Sequence, residues 1–240
     1  MPFYTGFNLL QIAKTGLGSP ITLLLLVVVI NLPPIENAMA QLPAKTQPIR
    51  LLALGDSYTI GESVSEKDRW PTQLAARLSD RGYIMEEVRI IATTGWRTDE
   101  LKRAIGSSGV DNNYDLVSLL IGVNNQYQGK PVEEYASQFE ELLGIAVQHA
   151  QGDKKKVFVL SIPDYGYTPF GKERQKQISS GIDAFNRVNK NICERWGITY
   201  FDITDISRKG LEDPELVAAD GLHPSGKMYT LWVSTVLAGL

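Results

Sequence analysis

The chain has 240 residues, 43% of them hydrophobic and 21% charged, with a formal net charge of −3. That balance excludes a disordered or collagen-like chain and offers no basic surface for nucleic acid or an anionic membrane. A single cysteine, Cys193, excludes an intrachain disulfide and a cysteine-built zinc site, and two histidines, His149 and His223, leave only two places for imidazole chemistry.

The first forty residues read as a leader rather than as part of the fold. Lys14 precedes an apolar run from Ile21 to Ile30, which is followed by Pro33-Pro34 and by Ala38-Met39-Ala40. A basic residue, a short apolar stretch and a small-residue cleavage site make a secretory signal peptide. The run is well short of the roughly 20 residues that a spanning helix needs. An uncleaved anchor is the competing reading. No cysteine stands close after the run, which argues against a lipid-anchored lipoprotein. Cleavage after Ala40 predicts an exported, periplasmic or extracellular, protein with no stable membrane span. What is left, 41–240, fits one domain with a full core.

From Pro48 onward short apolar runs alternate with amphipathic segments. The strand candidates, in order, are 49–54, 84–92, 116–121, 157–162 and 198–201. Most are continuous apolar runs, which suit parallel strands buried on both faces. Helical spacing appears at Val132, Tyr135, Ala136, Phe139, Leu142 and Leu143. It recurs at Ile178, Ile182, Phe185, Val188 and Ile192, and at Met228, Leu231, Trp232 and Val236. Five strand–helix repeats with short loops predict an open parallel sheet with helices on both faces.

Ligands in such a sheet bind beyond the carboxyl ends of the strands. After the first strand comes Gly55-Asp56-Ser57-Tyr58, and after the second Thr93-Thr94-Gly95-Trp96-Arg97. After the third comes Gly122-Val123-Asn124-Asn125, and after the fourth Pro163-Asp164-Tyr165-Gly166-Tyr167. Asp220-Gly221-Leu222-His223-Pro224 lies before the last helix. Singly, each of these is an ordinary turn, cap or loop. Their placement at successive strand ends is what carries a functional reading.

A serine hydroxyl needs a base to become a nucleophile, and neutral imidazole suits that role near pH 7. The imidazole needs an acceptor on its other nitrogen to hold one tautomer. Ser57 as nucleophile, His223 as base and Asp220 as its partner make a complete set. The developing oxyanion needs fixed donors, which the backbone N–H groups of Ser57 and Gly95 and the side-chain amide of Asn124 can supply. His149 follows a long helical stretch, where a cation suits the helix end, and reads as a surface residue.

With these residues in view, the chain resembles the SGNH hydrolases, the GDSL esterase/lipase family. The resemblance rests on Gly-Asp-Ser at 55–57, Gly95, Gly-x-Asn at 122–124 and Asp-x-x-His at 220–223, in family order across 41–240. It implies a three-layer α/β/α sandwich with a flavodoxin-like, five-stranded parallel sheet. It also implies a Ser-His-Asp serine esterase that acts through an acyl-enzyme, with no metal and no cofactor. In it Ser57 is nucleophile and first oxyanion donor, Gly95 and Asn124 are the other donors, His223 is the base and Asp220 its partner. The third block usually ends in Asp. Here it ends in Asn125, which is expected to alter local hydrogen bonding rather than catalysis.

Two other readings compete: a binding module on the same fold, and acyl transfer to a sugar or lipid alcohol. Residues 221–227 mimic a phosphate-binding loop, but Met228 stands where a hydroxyl is needed. Tyr165, Tyr167 and Phe170 form an aromatic loop that can line a substrate pocket. Arg97 reads as a solvated helix-start residue, and Cys193 as an inert buried thiol. The expected partner is a small-molecule, glycan or lipid ester, and no nucleic acid.

Overall fold

A computed structural model of the chain describes residues 41–240. The expected signal peptide and its cleavage site lie outside the described residues. Strand β1 (Pro48–Gly55) is followed by a single turn of helix, α1 (Ser57–Ile60), and by α2 (Trp70–Asp80). Then come β2 (Ile84–Ala92), α3 (Thr98–Ser107), β3 (Leu116–Leu120), α4 (Val123–Tyr127) and α5 (Val132–His149). Strand β4 (Val157–Leu160), α6 (Gln175–Trp196), β5 (Thr199–Phe201), α7 (Thr204–Ser207) and α8 (Gly226–Ala238) complete the chain.

All five strands are parallel, in the order β2-β1-β3-β4-β5. This is the flavodoxin-like order that the family resemblance implies. Helix α2 packs on α8, while α3, α5 and α6 pack in series, so helices cover the sheet in two groups. The apolar runs of β3 and β4 are buried throughout, as strands covered on both faces require. Strand β2 differs. It is an edge strand, and Ile84 and Val88 are exposed while only Ile91 and Ala92 at its carboxyl end are buried.

The helical stripes follow the expected period, with local corrections. On α5 the buried positions run through Tyr135, Phe139, Leu142, Leu143, Ala146 and Val147. On α6 the stripe passes through Asn189 rather than Val188. The Asn189 side chain is fully buried, and its Oδ1 accepts the Tyr135 hydroxyl at 2.6 Å, which pairs these two oxygens inside the core. On α8, Leu231 was expected inside but is exposed, and Tyr229 and Val233 pack inward with Trp232. His149 is also not on the surface. It is buried at the end of α5, with Nδ1 2.8 Å from the Asp111 carbonyl.

Register places the functional loops together. Gly55 at the end of β1 pairs with Ala92 on one side and Leu120 on the other. Three strands therefore stop at one level, and the segments that follow them emerge side by side at one rim of the sheet.

Candidate active site

Gly55 admits no side chain. A Cβ there would collide with Thr59 Oγ1 and stand 2.5 Å from the Leu120 carbonyl oxygen. The chain can therefore turn tightly from β1 into α1. Asp56 caps that turn, its carboxylate accepting the Tyr58 N–H at 3.0 Å, and Ser57 follows as the first helical residue. Asp56 is buried, and burial pushes its carboxyl up to about 7 against the opposing pull of backbone N–H groups.

After β2 the chain makes a tight turn, closed by the Trp96 N–H on the Thr93 carbonyl at 3.2 Å. Gly95 lies in it with φ of 86°, a backbone conformation that favours glycine. After β3, Gly122 has φ of 128°, and a Cβ there would stand 2.6 Å from the Tyr135 hydroxyl. Two adjacent asparagines then tie this loop to the previous one. Asn124 Nδ2 donates to the Trp96 carbonyl at 2.9 Å. Asn125 is buried, and it accepts the Thr98 N–H at 3.1 Å and donates to the Thr98 hydroxyl at 2.7 Å. Asn125 thus holds the start of α3, a supporting contact, while Asn124 keeps its second amide hydrogen for another acceptor.

The loop before α8 folds back on itself. Gly221 takes φ of 73°, and Asp220 Oδ1 accepts the N–H groups of Leu222 and His223, each at 2.9 Å. Asp220 Oδ2 then accepts from His223 Nδ1 at 2.7 Å. Partial burial works to raise the Asp220 pKa. Hydrogen bonds from Ser63, from the His223 ring and from the backbone outweigh it and hold the carboxyl well below the usual carboxylate range. The His223 ring also meets Tyr58 edge-on, with centroids 5.7 Å apart.

These loops enclose a cleft of about 310 Å³ lined by Ser57, Gly95, Asn124 and His223, among others. Among the described residues no Asp, Glu, Lys or Arg lines it. Tyr165 and Phe170 form part of its wall, as the aromatic loop suggested. Tyr127 joins them, with ring centroids 6.1 Å from Tyr165 and 6.3 Å from Phe170. Tyr127 was not read from the sequence, although its place one helical turn after Asn124 is the signal that could have found it. Tyr167 lies elsewhere, with the Arg208 guanidinium over its ring. Arg97 is half-buried, bonded to Asp99 and Gln128 rather than solvated. Cys193 is buried, and burial pushes its thiol up to about 12.

Neither Glu62 nor Ser63 was legible in the sequence. The Glu62 carboxylate accepts a short hydrogen bond from Thr94, beside Gly95, and the Ser63 hydroxyl donates to Asp220 Oδ2 at 2.6 Å. Among the described residues no group of three His, Cys, Asp or Glu side chains could hold a metal ion. No described helix is long and apolar enough to cross a membrane.

A doubly wound α/β domain with this cleft at its strand ends defines a class of protein. The model of the GDSL-like lipase/acylhydrolase family matches residues 53–231, and the chain belongs to that family. Solved structures agree in fold. An acetylxylan esterase from Geobacillus stearothermophilus superposes with a TM-score of 0.63 at 18% identity, over 80% of this chain and 93% of that one. A psychrotrophic esterase from Pseudoalteromonas gives 0.60 at 15% identity, over 79% and 95%. A member of the lipolytic G-D-S-L family from Veillonella parvula gives 0.61 at 16%, over 80% and 97%. No curated protein matches the chain.

Proposed function

We propose that this protein is a serine esterase that hydrolyses uncharged carboxylic esters through an acyl-enzyme. The observation that carries the reading is the convergence of five loops on one cleft, with His223 Nδ1 held on Asp220 at 2.7 Å. That contact occupies one ring nitrogen and leaves Nε2 to take a proton. In the proposed reaction Ser57 Oγ attacks the ester carbonyl as its proton passes to Nε2. The carbonyl oxygen becomes an oxyanion, received by the N–H groups of Ser57 and Gly95 and the free amide hydrogen of Asn124. Collapse breaks the bond to the alcohol oxygen, which takes the proton from the imidazolium. Water then repeats the sequence and releases the acid.

The cleft wall supports the choice of substrate. Tyr127, Tyr165, Phe170, Val123 and Leu222 offer apolar surface, and the lack of Asp, Glu, Lys and Arg favours an uncharged ester. The esterases named above share the fold. Export after cleavage at Ala40 belongs to the same proposal.

A fluorophosphonate probe tests the reading. It is expected to label Ser57 and no other serine, and Ser57→Ala should lose ester turnover while melting as the parent does. Turnover retained in Ser57→Ala, or no labelling at all as a binding module would give, overturns it. The intact mass of the labelled protein from a bacterial host reports at once whether it begins at Gln41.

A further inference from the structure

We propose that Ser63 is a positioning residue for the Asp220–His223 pair, its hydroxyl fixing which way the carboxylate presents its charge to the imidazole. The inference rests on the reading of the site given above. Ser63 Oγ donates at 2.6 Å to Asp220 Oδ2, the same oxygen that meets His223 Nδ1 at 2.7 Å. Asp220 Oδ1 is already held by two backbone N–H groups. The carboxylate is thereby gripped on both oxygens, and among the described residues only Ser63 bonds to it from outside its own loop.

The backbone supports the same conclusion. Ser63 has φ of 65°, and among the described residues only Gln151 shares a positive φ without being glycine. Serine in this conformation is strained by comparison with glycine, which would occupy it freely. Glycine, however, would remove the hydroxyl. Strain retained in a residue that touches a charged group of the site is the pattern expected when the side chain is needed there.

The position of Ser63 gives it leverage. The N–H groups of Gly61 and Glu62 both bond to the Ser57 carbonyl, at 3.1 and 3.0 Å, so the loop is fastened to the nucleophile's own residue. Glu62 reaches Thr94 beside Gly95, and Ser63 reaches Asp220. One loop thus sets the spacing between the hydroxyl that attacks, a donor turn and the base.

The pH profile separates a positioning role from a merely structural one. A hydrogen bond to the carboxylate spreads its negative charge. Without that bond more charge faces the imidazolium and stabilises it, so a higher pH is needed to free the base. Tyr58, Asp164 and Tyr165 line a pocket together with His223, and Tyr229 of α8 lies within electrostatic reach of Asp220 and also of Asp56, Glu62 and Arg69. Asp164 is paired with Arg208. A Ser63 substitution leaves each of them in place.

The experiment compares Ser63→Gly, Ser63→Thr and Ser57→Ala. Ser63→Gly keeps the backbone and loses the hydroxyl. It is expected to melt close to the parent, to lose about 10-fold in kcat with KM nearly unchanged, and to move the rising limb of the kcat/KM profile to higher pH. Ser63→Thr keeps the hydroxyl on a β-branched residue strained at this φ, and is expected to melt lower while keeping the parental limb. A parental kcat and limb in Ser63→Gly overturns the proposal, whatever the threonine variant does. Loss of turnover in Ser57→Ala alongside that result confines the failure to Ser63, whereas turnover retained in Ser57→Ala would overturn the reading of the site itself.

Discussion

At the scale of single residues, Asn124 and Asn125 are chemically alike and adjacent, yet their surroundings assign them different work. Asn124 lines the cleft and spends one amide hydrogen on Trp96. In the proposed reaction its other hydrogen meets an oxygen that is weakly basic in the ester and anionic in the intermediate, so the bond strengthens as the reaction proceeds. Its loss should act on kcat rather than KM. Asn124→Ala is expected to slow turnover about 10²–10³-fold with little change in KM. Asn125→Ala instead strips two buried hydrogen bonds from Thr98, and should cost roughly 1–3 kcal/mol of stability with a smaller effect on rate. Steady-state kinetics and thermal melts of the two variants check the division. Equal small losses in both would make Asn124 a loop residue.

At the scale of elements, the segment after β4 supplies Tyr165 and Phe170 to the cleft, and its base is an ion pair between a buried carboxylate and a partly exposed arginine. The Asp164 carboxylate is fully buried, accepting the Gly166 N–H at 2.9 Å and Arg208 Nε, from the end of α7, at 3.1 Å. Removing the arginine leaves a buried charge without its partner, which is far more costly than the pair itself is stabilising. Arg208→Ala is expected to destabilise the protein by about 3 kcal/mol or more and, by loosening the aromatic wall, to raise KM for esters with large apolar groups. Denaturant melts and KM values for a short and a long ester test both halves. The same contact explains Tyr167: it packs beneath Arg208, so of the aromatic loop only Tyr165 and Phe170 are left to face the cleft.

At the scale of the whole molecule, Asp56 links the turn that carries Ser57 to stability. Its carboxyl is raised from the ordinary 3.8 to about 7 by burial. The folded chain then holds a proton that the unfolded chain has released. Stability should therefore fall as pH rises from about 4 to about 7, and level off above that. At about 1.4 kcal/mol per pKa unit the effect is a few kcal/mol. Asp220 and Asp111, whose pKa values are lowered, contribute the opposite slope at lower pH. The reading is thus the difference between the parent and Asp56→Asn. The variant should gain on the parent across that interval in melting temperature, and parallel curves would show that Asp56 is ionised throughout.

Much of this was written in local pattern. Continuous apolar runs marked the strands, because a parallel strand covered on both faces has no polar side to show. Gly55, Gly95, Asn124, Asp220 and His223 could be read from residue type and order, because each stands where a strand ends or a loop must turn, and the sheet order then brings those ends to one rim. The glycines were legible for the same reason: tight turns and close backbone approach admit few residues. What the sequence could not reveal depends on contacts between segments far apart in the chain. Nothing near Ser63 announces a partner 157 positions away at Asp220. Nothing in the aromatic loop says that Arg208 will claim Tyr167 while Tyr127 joins the cleft instead. Helical periodicity placed Leu231 inside and left out Asn189, because it records which residues share a face but not which partner that face meets. Local chemistry determined the elements and which residues stand at the strand ends that meet at the cleft. Only the folded packing decided which side chains hold those residues in position.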